Sequence, residues 1–483
     1  MEALRREAWL CLGAGFVLLL VAGASIPGLS AIAHWLWAVF LLRFARLTRP
    51  WTGYLCISAA SSVTIFATQI GVIPIPLVGI GVTAILSALI SSLAYLADRL
   101  LAQRLPAWSA SLLFPAASVS VAYVGAQLSP FGSWGNVAYG AGLAGLTGIV
   151  AAAGLWGVTF LIAWIASMAN QIWSHGLRRG VPALVACLIA AGAGLVYADF
   201  LLGAEPPNTN AVVAGAITPD PATPGVFRCR GDDACRRHNS AQRLDELFAR
   251  SEEAIKRGAK VVLWSEGAAQ ILKSDEGTFL ARARGFAAQH GIYLFPGVVS
   301  VPERYPAGVL ENKLFAVTPG GVAWEYRKSK AVPGEPIVPG PGQVRVLDTP
   351  YGRIAAVICF DADFPSLVRQ AGKARADILL VSANDWPAIA KIHADMAVFR
   401  TVENGISMVR ASSKGQSLFV TRTGTVLARQ DTGSPGGQLL VKTVPARGYG
   451  TLYRWFGDAF AWLCLALVAL TVGWGLTFRP RQG

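Results

Sequence analysis

Three residues in the second half of the chain have types and settings suited to acyl-transfer chemistry: Glu266, Lys328 and Cys359. Each ends a stretch that reads as a β-strand. Glu266 follows residues 260–264 and precedes Gly267, Lys328 follows 321–327, and Cys359 follows the apolar run 354–358 ahead of a helix expected from Phe364. Strand ends in layered α/β folds project side chains into a crevice while the sheet holds their backbone. A thiol of ordinary pKa, about 8.5, is mostly protonated at neutral pH, so a nucleophilic cysteine needs a base or a cation beside it. Glu266 suits the base. Lys328 suits the cation that holds a thiolate and then an oxyanion, helped by the backbone N–H of Phe360. Singly, each residue also has a plainer reading: a solvated strand-end carboxylate, a surface lysine beside Lys330, a small buried side chain. Separations of 62 and 31 residues do not choose between the two. His34, His175, His238, His290 and His393 show no ligand spacing, so structural or surface roles are expected and neither a metal nor a cofactor is. Arg400, Glu403 and Arg410 either orient the site or form surface salt bridges, and the second is the commoner case.

The elements that must position these residues begin at Asn210, where short β-branched runs alternate with charged amphipathic stretches, as in a layered α/β domain. Strands are expected near 211–217, 260–264, 292–299, 312–318, 322–327, 344–348, 353–358, 377–382, 405–410, 416–420 and 425–429. Helices are expected near 238–256, 276–290, 364–374 and 391–403. The Pro/Gly-rich stretch 331–342, with Ile337 and Val338 in its middle, reads either as an apolar lid or as a turn-rich connection. Trp386-Pro387-Ala388-Ile389-Ala390 either dips into lipid or packs internally. Cys229 and Cys235 bracket a short loop and suit a disulfide in an oxidising compartment; a metal site using Asp232 and Asp233 is the rival.

The rest of the chain obeys another regime. The whole is 53% hydrophobic and 14% charged with a mean hydropathy of +0.47, which excludes a soluble multidomain enzyme. Residues 1–200 contain nine Arg, four acidic residues and no Lys. A net charge of +14 comes without a basic run or zinc spacing, so nucleic acid is not an expected partner. Crossing the hydrocarbon core takes roughly 20 apolar residues. Seven stretches qualify before residue 200, near 8–26, 31–46, 52–72, 78–97, 108–128, 153–173 and 180–200, and an eighth near 456–477; the Gly/Ala-rich 137–152 reads as a re-entrant lead-in. Arginines fall on alternate loops: Arg5 and Arg6, then Arg43, Arg46 and Arg49, Arg99 and Arg104, Arg178 and Arg179, and Arg479 and Arg481. Basic residues stay on the cytoplasmic side, so both termini are expected there and residues 201–455 outside. The spans carry almost no charge, which argues against an ion or proton pathway and, with it, a transporter. The expected domains are 1–204, a seven-helix transmembrane domain; 205–450, an extracytoplasmic α/β domain; and 451–483, a last helix with a cytoplasmic tail.

Trp264-Ser265-Glu266-Gly267, Tyr326-Arg327-Lys328, Ile358-Cys359-Phe360-Asp361 with Phe364-Pro365, and Ser382-Ala383-Asn384-Asp385 together resemble the ordered motifs of the nitrilase, or carbon–nitrogen hydrolase, superfamily. That resemblance implies a four-layered αββα sandwich with Glu266 as general base, Lys328 as oxyanion stabiliser and Cys359 as nucleophile. With seven spans before such a domain and one after it, the chain also resembles the apolipoprotein N-acyltransferase family of the bacterial envelope. Glu335, in Ala331-Val332-Pro333-Gly334-Glu335, would then be a second carboxylate supporting Lys328. Trp264, Asn384 and Trp386 are expected to contact substrate. By this resemblance a phospholipid donates an acyl chain to Cys359 as a thioester, and the α-amine of a diacylglyceryl lipoprotein accepts it. The enzyme would be a monomer of the bacterial cytoplasmic (inner) membrane with its catalytic domain periplasmic. The chain departs from that family at Ser265 and at Phe360-Asp361, and after Asp385. These departures keep open a membrane-tethered amidase, or an N-acyltransferase with another acceptor.

Overall fold

A computed structural model describes residues 2–24, 26, 28–203, 210–229, 231–303, 305–433 and 437–477. The boundary expected at 204/205 and the tail arginines Arg479 and Arg481 lie outside these residues. The chain divides into two compact units, one of residues 1–200 with 456–483, the other of residues 201–455.

The first unit is helical: Glu2–Gly23, Leu29–Leu47, Pro50–Gln69, Leu77–Leu101, Ala107–Leu128, Val137–Ala141, Thr147–His175, Leu177–Gly203 and Ala459–Thr477. Six of these are long and apolar enough to cross a membrane. Pro50–Gln69 is long but more polar: Ser58, Ser62, Thr64 and Thr68 each turn a hydroxyl back onto the carbonyl four residues earlier. That bonding satisfies the hydroxyl without a partner helix. The last helix has a shorter apolar stretch, Ala459–Trp474. Between 137 and 152 lie the short helix Val137–Ala141 and the first turns of Thr147–His175, which breaks at Gly154, where φ is 65°. Two of the arginines that set the expected orientation are ion-paired: Arg43 with Glu7 at 2.8 Å, and Arg46 with the fully buried Asp98 through two bonds of 2.8 and 2.9 Å.

Among the described residues the second unit has fourteen strands: β1 Ala211–Ile217, β2 Val261–Trp264, β3 Ala269–Leu272, β4 Tyr293–Phe295, β5 Gly297–Val301, β6 Glu311–Thr318, β7 Gly321–Arg327, β8 Val346–Thr349, β9 Gly352–Ile358, β10 Ile378–Asn384, β11 Ser407–Ser413, β12 Gln416–Val420, β13 Val426–Asp431 and β14 Leu439–Pro445. They form two sheets, ordered β14-β1-β2-β4-β6-β5-β3 with β7 also on β6, and β13-β12-β11-β10-β9-β8. Period-two alternation divides each inner strand between two cores. Val261, Leu263, Leu314 and Ala316 meet Ile354, Ile358, Leu380 and Val409 of the second sheet, whereas Val262, Trp264, Phe315 and Val317 face the helices Asp233–Lys256 and Glu276–His290. Helices Pro365–Lys373 and Ala390–Asn404 belong with the second sheet. The result is an αββα sandwich.

The strand pattern differs from the sequence reading, and the open readings at 331–342, 386–390 and Cys229/Cys235 each resolve to one of their alternatives. Pro296 interrupts the expected 292–299 strand, and β3 and β14 were not anticipated. Ile337 is buried with Val226, Val301 and Leu310, and pairs with Leu310, so 331–342 is a turn-rich connection packed on the domain. Ile389 is buried as well. Cys229 and Cys235 form a disulfide across the start of helix Asp233–Lys256. The Asp232 carboxylate caps that helix, accepting from the N–H groups of Ala234 and Cys235.

Candidate active site

Glu266 and Cys359 come from different sheets, and three contacts bring the sheet ends together. Ser382 Oγ donates to the Trp264 carbonyl at 2.9 Å, Ser265 Oγ meets Ser413 Oγ at 2.7 Å, and Glu266 N–H donates to the Ala383 carbonyl at 3.2 Å. Gly297 sits at this seam: a Cβ there would fall against the Ser265 carbonyl and the Ser382 hydroxyl.

At the seam Glu266 Oε1 accepts from Asn312 Nδ2 at 2.7 Å and from Lys328 Nζ at 2.9 Å. Lys328, 2% exposed, also donates to both oxygens of Glu335, at 2.9 and 2.7 Å. Glu335 is fixed in turn by the Val332 N–H at 3.0 Å. Burial alone would make the lysine shed its proton, but the charges of Glu266 and Glu335, with the hydrogen bonds to Glu335, outweigh that and hold it well above its ordinary pKa. Three carboxylate contacts within 2.9 Å favour its ammonium form.

Cys359 follows β9 with φ at 48°, left-handed and uncommon for a side-chain-bearing residue. The conformation turns its side chain out of the strand path at the start of a 3₁₀ turn, Cys359–Asp363. Burial pushes the thiol well above its usual pKa; Glu266 and Asp385 push the same way, and Lys328 opposes them. The resting sulfur is therefore a thiol within electrostatic reach of Glu266 and Lys328, 4.0 Å from the Asn384 carbonyl. Phe360 packs its ring edge-on against Phe364 at 5.4 Å.

Asp361 welds the cysteine turn to the lysine strand. Its Oδ1 accepts from the N–H groups of Ser329 (3.0 Å) and Lys330 (2.8 Å), and its Oδ2 from Tyr326 Oη (2.7 Å) and the Ile358 N–H (3.2 Å). Burial raises its pKa to about 6 against the lowering effect of these donors.

Two sequence expectations change here. Trp264 lies in the core, not the crevice, its indole N–H on Ser251 Oγ and its ring beside Phe248. Arg400, Glu403 and Arg410 are fully buried, which removes the surface salt-bridge reading, and Arg410 pairs with Asp385 beside the site. Asn384 is exposed beside the cysteine, and Trp386 is half-buried in the following turn. Sequence reasoning missed Asn312, although an amide inside the strand 312–318 was a visible signal. It also missed the parts that Asp363 and His393 play in a cluster behind Cys359, with Asp385 and Arg410. Sulfur, oxygen and nitrogen of Cys359, Asp385 and His393 lie within 4.8 Å of one another. The Asp385 carboxylate there is already engaged by His393, Arg410 and Ser412, so the cluster is an ion-pair network.

Residues 234–451 match the family described as carbon-nitrogen hydrolase. The match falls within the second unit, which is a nitrilase-like α/β domain. Across a longer stretch the chain is similar to proteins named apolipoprotein N-acyltransferase: 29% identical over 46% of this chain to that of Geobacter metallireducens, 26% over 68% to that of Pseudomonas syringae pv. tomato, and 25% over 70% to that of Azotobacter vinelandii. The alignments span about half the length of the first relative and about two thirds of the other two. Among solved structures, the α/β domain is similar to an amidase of the nitrilase superfamily from Nesterenkonia AN1, at 20% identity and a TM-score of 0.40, over 50% of this chain and 94% of that one.

Proposed function

We propose that the chain transfers an acyl group from a phospholipid, through a thioester on Cys359, to the α-amino group of a diacylglyceryl-cysteine lipoprotein. The observation that carries this is a lysine ammonium gripped by Glu266 and Glu335 beside a buried, protonated thiol. Such a thiol must lose its proton during the reaction rather than before it. Glu266 takes the proton as the sulfur attacks the ester carbonyl. Lys328 and the Phe360 N–H stabilise the oxyanion. Collapse of the oxyanion breaks the acyl–oxygen bond, and Glu266 returns the proton to the departing glyceryl oxygen. In the second half the acceptor amine attacks the thioester, Glu266 removes the amine's extra proton, and the sulfur leaves as a thiol. Shielding from water lets the thioester wait for an amine.

Six membrane-length helices and the named relatives support a protein of the bacterial inner membrane. Alternating arginines support cytoplasmic termini and a periplasmic catalytic domain, and the Cys229–Cys235 disulfide fits an oxidising compartment.

The test is intact-mass measurement of the purified full-length protein after exposure to phosphatidylethanolamine of defined chains, followed by a diacylglyceryl-cysteine peptide. A single acyl increment, released by neutral hydroxylamine, absent from Cys359→Ala and passed to the peptide, is expected. An increment retained by Cys359→Ala would remove the proposal. Discharge to water in preference to the peptide would favour the tethered amidase.

A further inference from the structure

The cluster behind Cys359 is built like a clamp. His393, on helix Ala390–Asn404 and 2% exposed, places Nδ1 at 2.7 Å from Asp385 Oδ1 and Nε2 at 3.2 Å from Asp363 Oδ1. Asp363 belongs to the turn Cys359–Asp363 that carries the nucleophile. Asp385 directly follows Asn384, whose carbonyl faces the sulfur. The imidazole thus spans from the turn that carries Cys359 to the residue after Asn384. Asp385 Oδ2 also takes Arg410 Nη2 at 2.7 Å and Ser412 Oγ at 2.9 Å.

Charge balance fixes the state of the ring. The charged groups facing it are Asp363 from the nucleophile turn, Asp385 after β10 and Arg410 from β11, with Cys359 as its neighbour. Two carboxylates and one guanidinium leave a buried net negative charge unless the imidazole is protonated. Burial favours the neutral ring, but the two carboxylates overcome it and push its pKa up to about 9.

We propose that His393 is a positioning residue whose imidazolium ties the nucleophile turn to the Asn384–Asp385 wall and supplies a second cation beside the Cys359 sulfur. Lys328 faces the oxyanion, and His393 offsets the two carboxylates that would otherwise oppose thiolate formation. This inference rests on Cys359 being the nucleophile.

The experiment reads the pH dependence of Cys359 alkylation by iodoacetamide, by peptide mass spectrometry, on the full-length protein in detergent. His393→Gln removes a cation from the cluster, so the midpoint should rise by about one unit or more. Asp363→Asn keeps an acceptor for the ring but removes an anion, so the midpoint should fall. Opposite shifts support the proposal, and either variant alone, if folded, reports a sign. Midpoints unchanged, or both moving the same way, as loss of packing alone would give, overturn it. Acyl-thioester formation from phosphatidylethanolamine is measured in parallel. Alkylation shifts without a wild-type thioester would sink the proposed function and leave this inference standing. A wild-type thioester with unshifted midpoints would do the reverse. A Cys359 that stays unlabelled at every pH overturns both.

Discussion

At the scale of residues, the site is a set of charges whose burial makes each partner necessary. Lys328→Ala leaves Glu266 and Glu335 facing each other without their shared cation and removes the oxyanion contact. Acyl transfer should fall on the order of 100-fold or more, measured as single-turnover thioester formation. Glu335→Gln keeps the side-chain shape and leaves Glu266 on the ammonium, so a smaller loss, about 10-fold, is expected in the same assay. Asp361→Asn keeps one acceptor oxygen but turns the other position into a donor facing the Tyr326 hydroxyl or the backbone N–H groups of Ser329 and Lys330. That mismatch should destabilise the domain by about 1–3 kcal/mol in thermal melts and slow thioester formation. The strand-end positions of Glu266, Lys328 and Cys359 were legible in the sequence, because each follows a short β-run. Asp363 and His393 were not: 30 residues separate them, and their partnership arises from the packing of a helix on a turn.

At the scale of elements, the seam between the sheets is where small side chains are required. Gly297→Ala would press a methyl against Ser265 and Ser382, directly before Glu266 and within β10. Overpacking of this kind costs about 1–3 kcal/mol, and here it should also lower activity, since it displaces the general base. A loss of stability with wild-type thioester kinetics would show that the seam does not govern Glu266. Strands such as β6 and β9 were readable from their β-branched and apolar runs. β3, four residues of Ala-Gln-Ile-Leu, and β14, with Lys442 and Thr443 exposed in its centre, carry too little alternation to declare themselves. Nor did charge alone separate Arg400 and Arg410 from surface arginines. Their burial depends on carboxylates that share it, Glu403 one turn along the same helix for Arg400 and Asp385 directly after β10 for Arg410.

At the scale of the molecule, pH acts on the α/β domain through His393. Its folded pKa, about 9, lies above the unfolded value, so its contribution is fully present below about pH 6.5 and is lost as pH rises through 9. The melting temperature of the full-length protein should therefore decline across that window, and His393→Gln should flatten the decline; equal slopes would remove the clamp as its cause. In the helical unit, Arg46→Ala would leave the buried Asp98 without its counter-ion, at a cost of about 3–5 kcal/mol, read as a lower melting temperature in detergent. That same unit is built from segments on either side of the α/β domain in the sequence. Trp156 Nε1 donates to Asp458 Oδ1 at 2.7 Å, and Phe160 packs on Phe460 at 5.4 Å. During synthesis the ribosome must deliver the entire α/β domain before Asp458 emerges, an interval on the order of tens of seconds. Until then the Trp156 indole waits for its acceptor, so the bond that ties helix Thr147–His175 to the segment after the α/β domain forms only once that domain has been made.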